Sequence, residues 1–204
     1  LTLRTFHAGG IAGGAAANAS IVAKHEALLE FDELKTVPFV DEAGKECEMV
    51  ISRLTEVRFI EPHTKILLSV MPIPYGSTLY AAEGDKVKKG DLVAKWDPFN
   101  GVIVSEFPGK VRFKDIKEGV TFSAETDAQT GFAERIIIEN KSKTDMFVPT
   151  CEILNEDEEI IASYVFPVGA HISVEDGETV TSGATLVKIP RNVAKGGDIT
   201  SGLP

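Results

Sequence analysis

Arg4 and His7 are the two residues of this 204-residue chain whose types and spacing best suit chemistry. Three positions apart, they share a face if the segment is helical, and Leu3 and Phe6 make a neighbouring apolar pair. A fixed cation would then project beside an imidazole, a group that holds or releases a proton near neutral pH. Gly9, Gly10, Gly13 and Gly14 follow, with alanines between them, and would break the helix and act as a hinge. A plainer reading stays open at this point, and the segment alone favours it: a terminal helix fraying into a flexible linker.

Other chemistry-bearing residues are sparse. His25 and His63 sit among polar residues, and His171 stands in a repeated stretch opposite Thr78. None has a second His, Cys or carboxylate at coordinating spacing, so surface or structural roles are expected and no metal site is assigned. Cys47 and Cys151 are far apart and belong to no CxxC pair, which predicts two buried thiols in a reducing compartment. The net charge of -10 argues against the body gripping nucleic acid, because such binding rests on neutralising phosphates. Five acidic residues between Glu152 and Glu159 read as a solvated loop or strand edge.

Hydrophobic residues at 43% and charged residues at 25% are typical of a globular chain. No apolar run approaches the ~20 residues that cross a bilayer, and no signal-peptide pattern opens the chain, so a soluble cytoplasmic setting without membrane partners is expected. The first residue is Leu1 rather than Met and the last is Pro204 in mid-phrase, from which an excised piece of a larger parent is expected.

The elements that must position the ends come from an internal repeat. YGSTLYAAEGDKVKKGDLVAKW, from Tyr75 to Trp96, matches VGAHISVEDGETVTSGATLVKI, from Val168 to Ile189, without a gap. Gly76 aligns with Gly169, Gly84 with Gly177, Val87 with Val180 and Gly90 with Gly183, each pair 93 residues apart. Upstream, LLEFDELKTV and EMVIS answer VRFKDIKEGV and RIIIE in the same order. Stretches such as EMVIS, EVRFIE, KILLSV, RIIIEN and ASYVF are rich in β-branched and aromatic residues and are punctuated by Gly, Asp, Asn and Pro. The fold class predicted is all-β, with two tandem modules over residues 20–106 and 107–191. These lie between short helical or disordered arms over 1–19 and 192–204.

The G-D-x-V-x-x-G-D arrangement at Gly84-Asp85 resembles the barrel-sandwich hybrid fold of biotinyl and lipoyl carrier domains. That resemblance would make Asp97-Pro98-Phe99-Asn100 a hairpin tip with its return strand near Phe107-Pro108-Gly109. A carrier needs a lysine at the tip to form the amide to its cofactor, and DPFN has none. A scaffold without the modification chemistry is expected, with a carrier domain the least favoured function.

LTLRTFHAGG at the start is similar to the N-terminal trigger helix of the β′ subunit of bacterial RNA polymerase, whose usual form is LTMRTFHxGG. GGDITSGLP at the end resembles the C-terminal arm, usually DITGGLPRV. VAKWDP followed by GKVRFKDI also suits the family's large insert of tandem sandwich-barrel hybrid modules, so the resemblance covers essentially the whole chain. Leu3 stands where the family has methionine, Ser201 where it has glycine, and Ala8 where isoleucine is more typical. Leu and Met are near-isosteric, so packing at position 3 is kept.

The resemblance implies a trigger loop that folds over the incoming nucleoside triphosphate during RNA synthesis, with an insert that modulates catalysis, pausing and factor access. It implies that His7 contacts the β-phosphate and serves as positional electrophile or acid, that Arg4 faces the phosphates, and that Leu3 packs on the base. Gly9 and Gly10 would be the hinge. The family's NADFDGD metal phrase is absent, so this piece alone is expected to bind no cofactor and to polymerise nothing, while Mg2+ and Zn2+ are implied for the full subunit. Implied partners are the α, β, ω and sigma subunits, the NTP, DNA and RNA through the whole enzyme, and secondary-channel factors. The competing reading from another class is a non-catalytic β-sandwich interaction scaffold.

Overall fold

A computed structural model of the chain describes residues 19–191. Among these residues there is no helix, and the strands form four antiparallel sheets. The chain divides into two units between Phe99 and Asn100.

The first unit runs β1 Ser20–Val22, β2 Ala27–Asp32, β3 Thr36–Val40, β4 Glu46–Val50, β5 Thr55–Ile60, β6 Leu67–Ile73, β7 Thr78–Leu79, β8 Lys86–Val87 and β9 Leu92–Lys95. They form two sheets, in the orders β1-β9-β7-β4-β3 and β6-β5-β2-β8. Alternation makes each sheet two-faced: Thr55, Val57 and Phe59 of β5 point inward while Glu56 and Arg58 face outward. The inner faces share one core, with Ile21, Val50, Leu79 and Val93 from one sheet against Leu29, Val57, Phe59 and Ile73 from the other. Removing these side chains from water stabilises the unit by about 1.5–3 kcal/mol for each large residue buried.

The second unit repeats this plan strand for strand: β10 Asn100–Val104, β11 Gly109–Lys114, β12 Phe122–Thr126, β13 Ala133–Ile137, β14 Thr150–Leu154, β15 Ile160–Val165, β16 His171–Ile172, β17 Thr179–Val180 and β18 Thr185–Pro190. Its sheets have the orders β10-β18-β16-β13-β12 and β15-β14-β11-β17, which are those of the first unit. Its core gathers Val111, Ile137, Ile153, Phe166 and Leu186.

The paired glycines explain why the repeat survives in sequence. Gly84 and Gly177 have φ of 81° and 85°, a left-handed backbone that other residues adopt at a cost. Each turns its N–H onto the neighbouring strand, Gly84 donating to the Leu29 carbonyl at 2.8 Å and Gly177 to that of Val111 at 2.7 Å. Gly90 and Gly183 do the same to Ala23 and Ser105, as Gly76 and Gly169 do to Val50 and Ile137.

These bonds correct the alignment upstream. EMVIS and RIIIE keep their register, since Val50 and Ile137 accept equivalent bonds. LLEFDELKTV and VRFKDIKEGV do not: Val111 corresponds to Leu29, one residue beyond the Leu28 that sequence pairs with it. A one-residue slip exchanges the two faces of a strand, and Leu29 and Val111 are the inward pair, at 0% and 1% exposure. The seam between units also moves. β10 pairs with β18 from Asn100↔Pro190 to Val104↔Thr185, so residues 100–104 build the second unit rather than ending the first.

Asp97–Asn100 is therefore no hairpin tip. β9 pairs with β1, and the chain then leaves for the second unit, so this stretch is not the hairpin turn that the carrier resemblance would require. One carboxylate of the acidic run departs from the solvated reading as well. Glu152 is 6% exposed and receives both Arg112 Nε and Nη2 on Oε1, at 3.0 and 2.9 Å. Losing Arg112 would strand a buried charge, whereas the exposed Arg58–Asp32 pair at 3.2 Å contributes little. The other four acids lie at or beside the turn from β14 to β15, where Asn155 accepts the N–H groups of Asp157 and Glu159.

Candidate functional site

Leu3, Arg4, His7, Gly9 and Gly10 all lie outside the described residues. The structure does describe the strands that carry the two arms. β1 takes the chain in from the first arm; Ile21, 1% exposed, anchors it in the core. It pairs with β9, the last strand of the same unit, through Ser20↔Lys95 and Ile21↔Ala94, and Trp96 N–H donates to the Ala19 carbonyl at 2.9 Å. In the second unit the first strand, β10, likewise pairs with the last, β18.

Each unit thus receives and releases the chain on neighbouring strands, and Asp97, Pro98 and Phe99 join the two. Asp97 Oδ1 accepts the Phe99 N–H at 2.8 Å, the turn that an Asp-Pro step favours. Four Cα–Cα steps from Trp96 to Asn100 reach about 14 Å at most. Adding about 5.5 Å across each strand pair and one further residue to Arg191 holds Ala19 and Arg191 within about 30 Å. That limit comes from chain length and strand pairing alone and applies to any arrangement of the units. Sequence analysis missed it because β1 and β10 are short and pair with strands distant in sequence.

The remaining chemistry-bearing groups look inert. Among the described residues no three His, Cys, Asp or Glu side chains gather as a metal ion would require. His171 Nδ1 lies 3.4 Å from Glu134 Oε2 on the surface. The Cys151 thiol is buried, and burial, with Asp176 and Glu152 nearby, pushes its pKa up to about 12, so it stays protonated and unreactive. Cys47 is only half-buried, contrary to the expectation of two buried thiols, because it lies on β4 beside the edge strand β3. Partial burial and the neighbouring Asp41 raise its pKa too. No helix among the described residues is long and apolar enough to cross a membrane.

Fold and connections define a class: a duplicated all-β sandwich body in which each unit receives and releases the chain on paired neighbouring strands. No family model matches the chain. Along all 204 residues it is 58% identical to the DNA-directed RNA polymerase subunit beta′ of Phocaeicola vulgatus, 56% to that of Bacteroides fragilis and 50% to that of Flavobacterium psychrophilum. The chain spans 14% of the length of each. It therefore groups with bacterial β′ subunits, and the resemblance takes in the duplicated body as well as the arms.

Proposed function

We propose that this chain is the trigger-loop region of a β′ subunit, in which two arms close as one lid over an incoming nucleoside triphosphate and carry the duplicated body as an insert. The observation that supports this reading is that each unit takes in and gives out the chain on paired strands with a three-residue join between them, which limits Ala19 and Arg191 to about 30 Å apart, as a body spliced into a hairpin requires. In the lid, Arg4 and His7 would place positive charge and a proton donor against the triphosphate, and Leu3 would pack on the base. Phosphoryl transfer depends mainly on positioning and on charge set against developing negative charge, so donors delivered by a closing segment suit it. Closure also links substrate fit to rate.

Mg2+ and Zn2+, implied by family for the full subunit, find no ligand set among the described residues, and the body's own role is mechanical. It must move when the arms close, so its contacts with neighbouring subunits or secondary-channel factors bias the open and closed populations. The wider setting proposed is cytoplasmic, with the α, β, ω and sigma subunits as partners and DNA and RNA held by the rest of the enzyme.

Removing residues 15–194 from the parent enzyme tests the insert's part. Basic RNA synthesis is expected to persist while pausing or transcript cleavage changes by a measurable factor in single-round transcription assays. Identical kinetics in all such assays would remove the modulatory role.

A further inference from the structure

The two units share a topology but differ beside the β1–β2 turn, and the difference there describes a ligand. In the first unit a groove of about 340 Å³ lies between the β1–β2 turn and edge strand β6. Phe59 and Ala27 form its buried floor; Val22, Leu68 and Val70, each about two-fifths exposed, form apolar walls; and Lys24 supplies its charge, with the His25 imidazole beside it. No carboxylate lines it, in a chain with 31 acidic and 21 basic residues. Glu26, the acid nearest in sequence, is turned to Lys86 at 2.6 Å.

In the second unit, Tyr164 of β15 bridges the corresponding place. Its hydroxyl oxygen accepts the Glu106 N–H at 2.8 Å. Strand pairing equates Tyr164, opposite Cys151, with Met71, opposite Val57, while the matched bonds of Ala23 and Ser105 equate Glu106 with Lys24. Met71 cannot make that bridge, and the Lys24 N–H donates to no described residue. The first unit therefore keeps both the space and the donor that its twin fills with a phenol.

We propose that this groove docks an extended acidic segment of a partner protein, which inserts a tyrosine where Tyr164 lies in the second unit. β6 supports such docking. Among the described residues it is the outer strand of its sheet, so one side of its main chain pairs with no described strand and can accept an added one. Leu67, Leu68 and Val70 leave apolar surface on it, and Pro72, which has no N–H, limits added pairing to the stretch before it. Carboxylates two residues either side of the tyrosine would share its face and meet Lys24 and His25.

The probe is the capped peptide Glu-Val-Tyr-Val-Glu, titrated into the 15N-labelled full chain. Saturable shifts are expected at the amides of Lys24, His25 and Ser69, with a Kd near or below roughly 1 mM. Replacing the peptide's tyrosine by phenylalanine should weaken binding about fivefold, the worth of one hydrogen bond. Lysines in place of its glutamates should weaken it at least as much. Met71→Tyr, which copies the second unit's own filling, and Lys24→Glu on the exposed turn should each weaken it by about tenfold or more while the dispersed spectrum of the fold is kept. No saturable shift at those amides, undiminished binding to both variants, or equal binding of the lysine peptide would overturn the proposal.

Discussion

His7→Ala in the intact enzyme slows nucleotide addition by on the order of 10²-fold, and Leu3→Met leaves the rate near that of the wild type. The two substitutions separate chemistry from packing. Alanine removes a donor, and with it any proton transfer, from the place where negative charge would build on the phosphates during transfer. Methionine keeps the apolar surface that stacking on a base requires. Because the donor acts in the transition state more than in the ground state, the loss should fall on kcat and much less on the KM for the nucleotide. Rapid-quench extension by a single nucleotide at saturating substrate reads this directly. Equal rates for His7→Ala and wild type would remove the imidazole from the chemistry and leave the first arm as a linker.

The second large effect is structural. Gly109→Ala should destabilise the second unit by about 3 kcal/mol, roughly a hundredfold in its unfolding equilibrium. Gly109 opens β11 and pairs with Val180 as Ala27 pairs with Val87 in the first unit. There the methyl of Ala27 fits, fully buried. At Gly109 a Cβ would collide with the Leu154 carbonyl oxygen and lie 2.6 Å from Ile153 Cγ2, and Ile153 is itself wholly buried. Neither neighbour can yield without disturbing the β11–β14 ladder. Denaturant titration followed by NMR should show the second unit's transition moving to lower denaturant while that of the first, which has a separate core, stays in place. Unchanged midpoints for both units would mean that the strand shifts freely.

The legible parts of this chain were those where one residue type answers one backbone demand. Glycines 76, 84 and 90 and their partners sit at left-handed turns, so their spacing survived whatever happened to the strands between them. The run RIIIE aligned correctly with EMVIS, and Ile137 and Val50 each accept the N–H of a repeat glycine. LLEF offers two adjacent leucines, and alternation alone cannot say which faces the core; only the Gly84 hydrogen bond selects Leu29. The seam was misplaced for a similar reason, since the pairing of β10 with β18 joins residues almost a whole unit apart. At the candidate site, residue types and spacing offered Arg4 and His7 as a cation beside an imidazole, and both lie outside the described residues; the limit on the separation of Ala19 and Arg191 depended on strand order. The contrast between Met71 and Tyr164 is visible only once the two units are matched strand by strand.

The central proposal is that the chain enters and leaves the body at points near enough for the two flanking segments to close as one lid. Ala19→Cys and Arg191→Cys, spin-labelled in a Cys47→Ser background, measure it by pulsed electron resonance; buried Cys151 stays unlabelled. The account predicts a distance distribution centred well inside the roughly 30 Å that the connection permits. A distribution centred at or beyond that limit would contradict it, because the arms would then leave the body too far apart to pair as one lid.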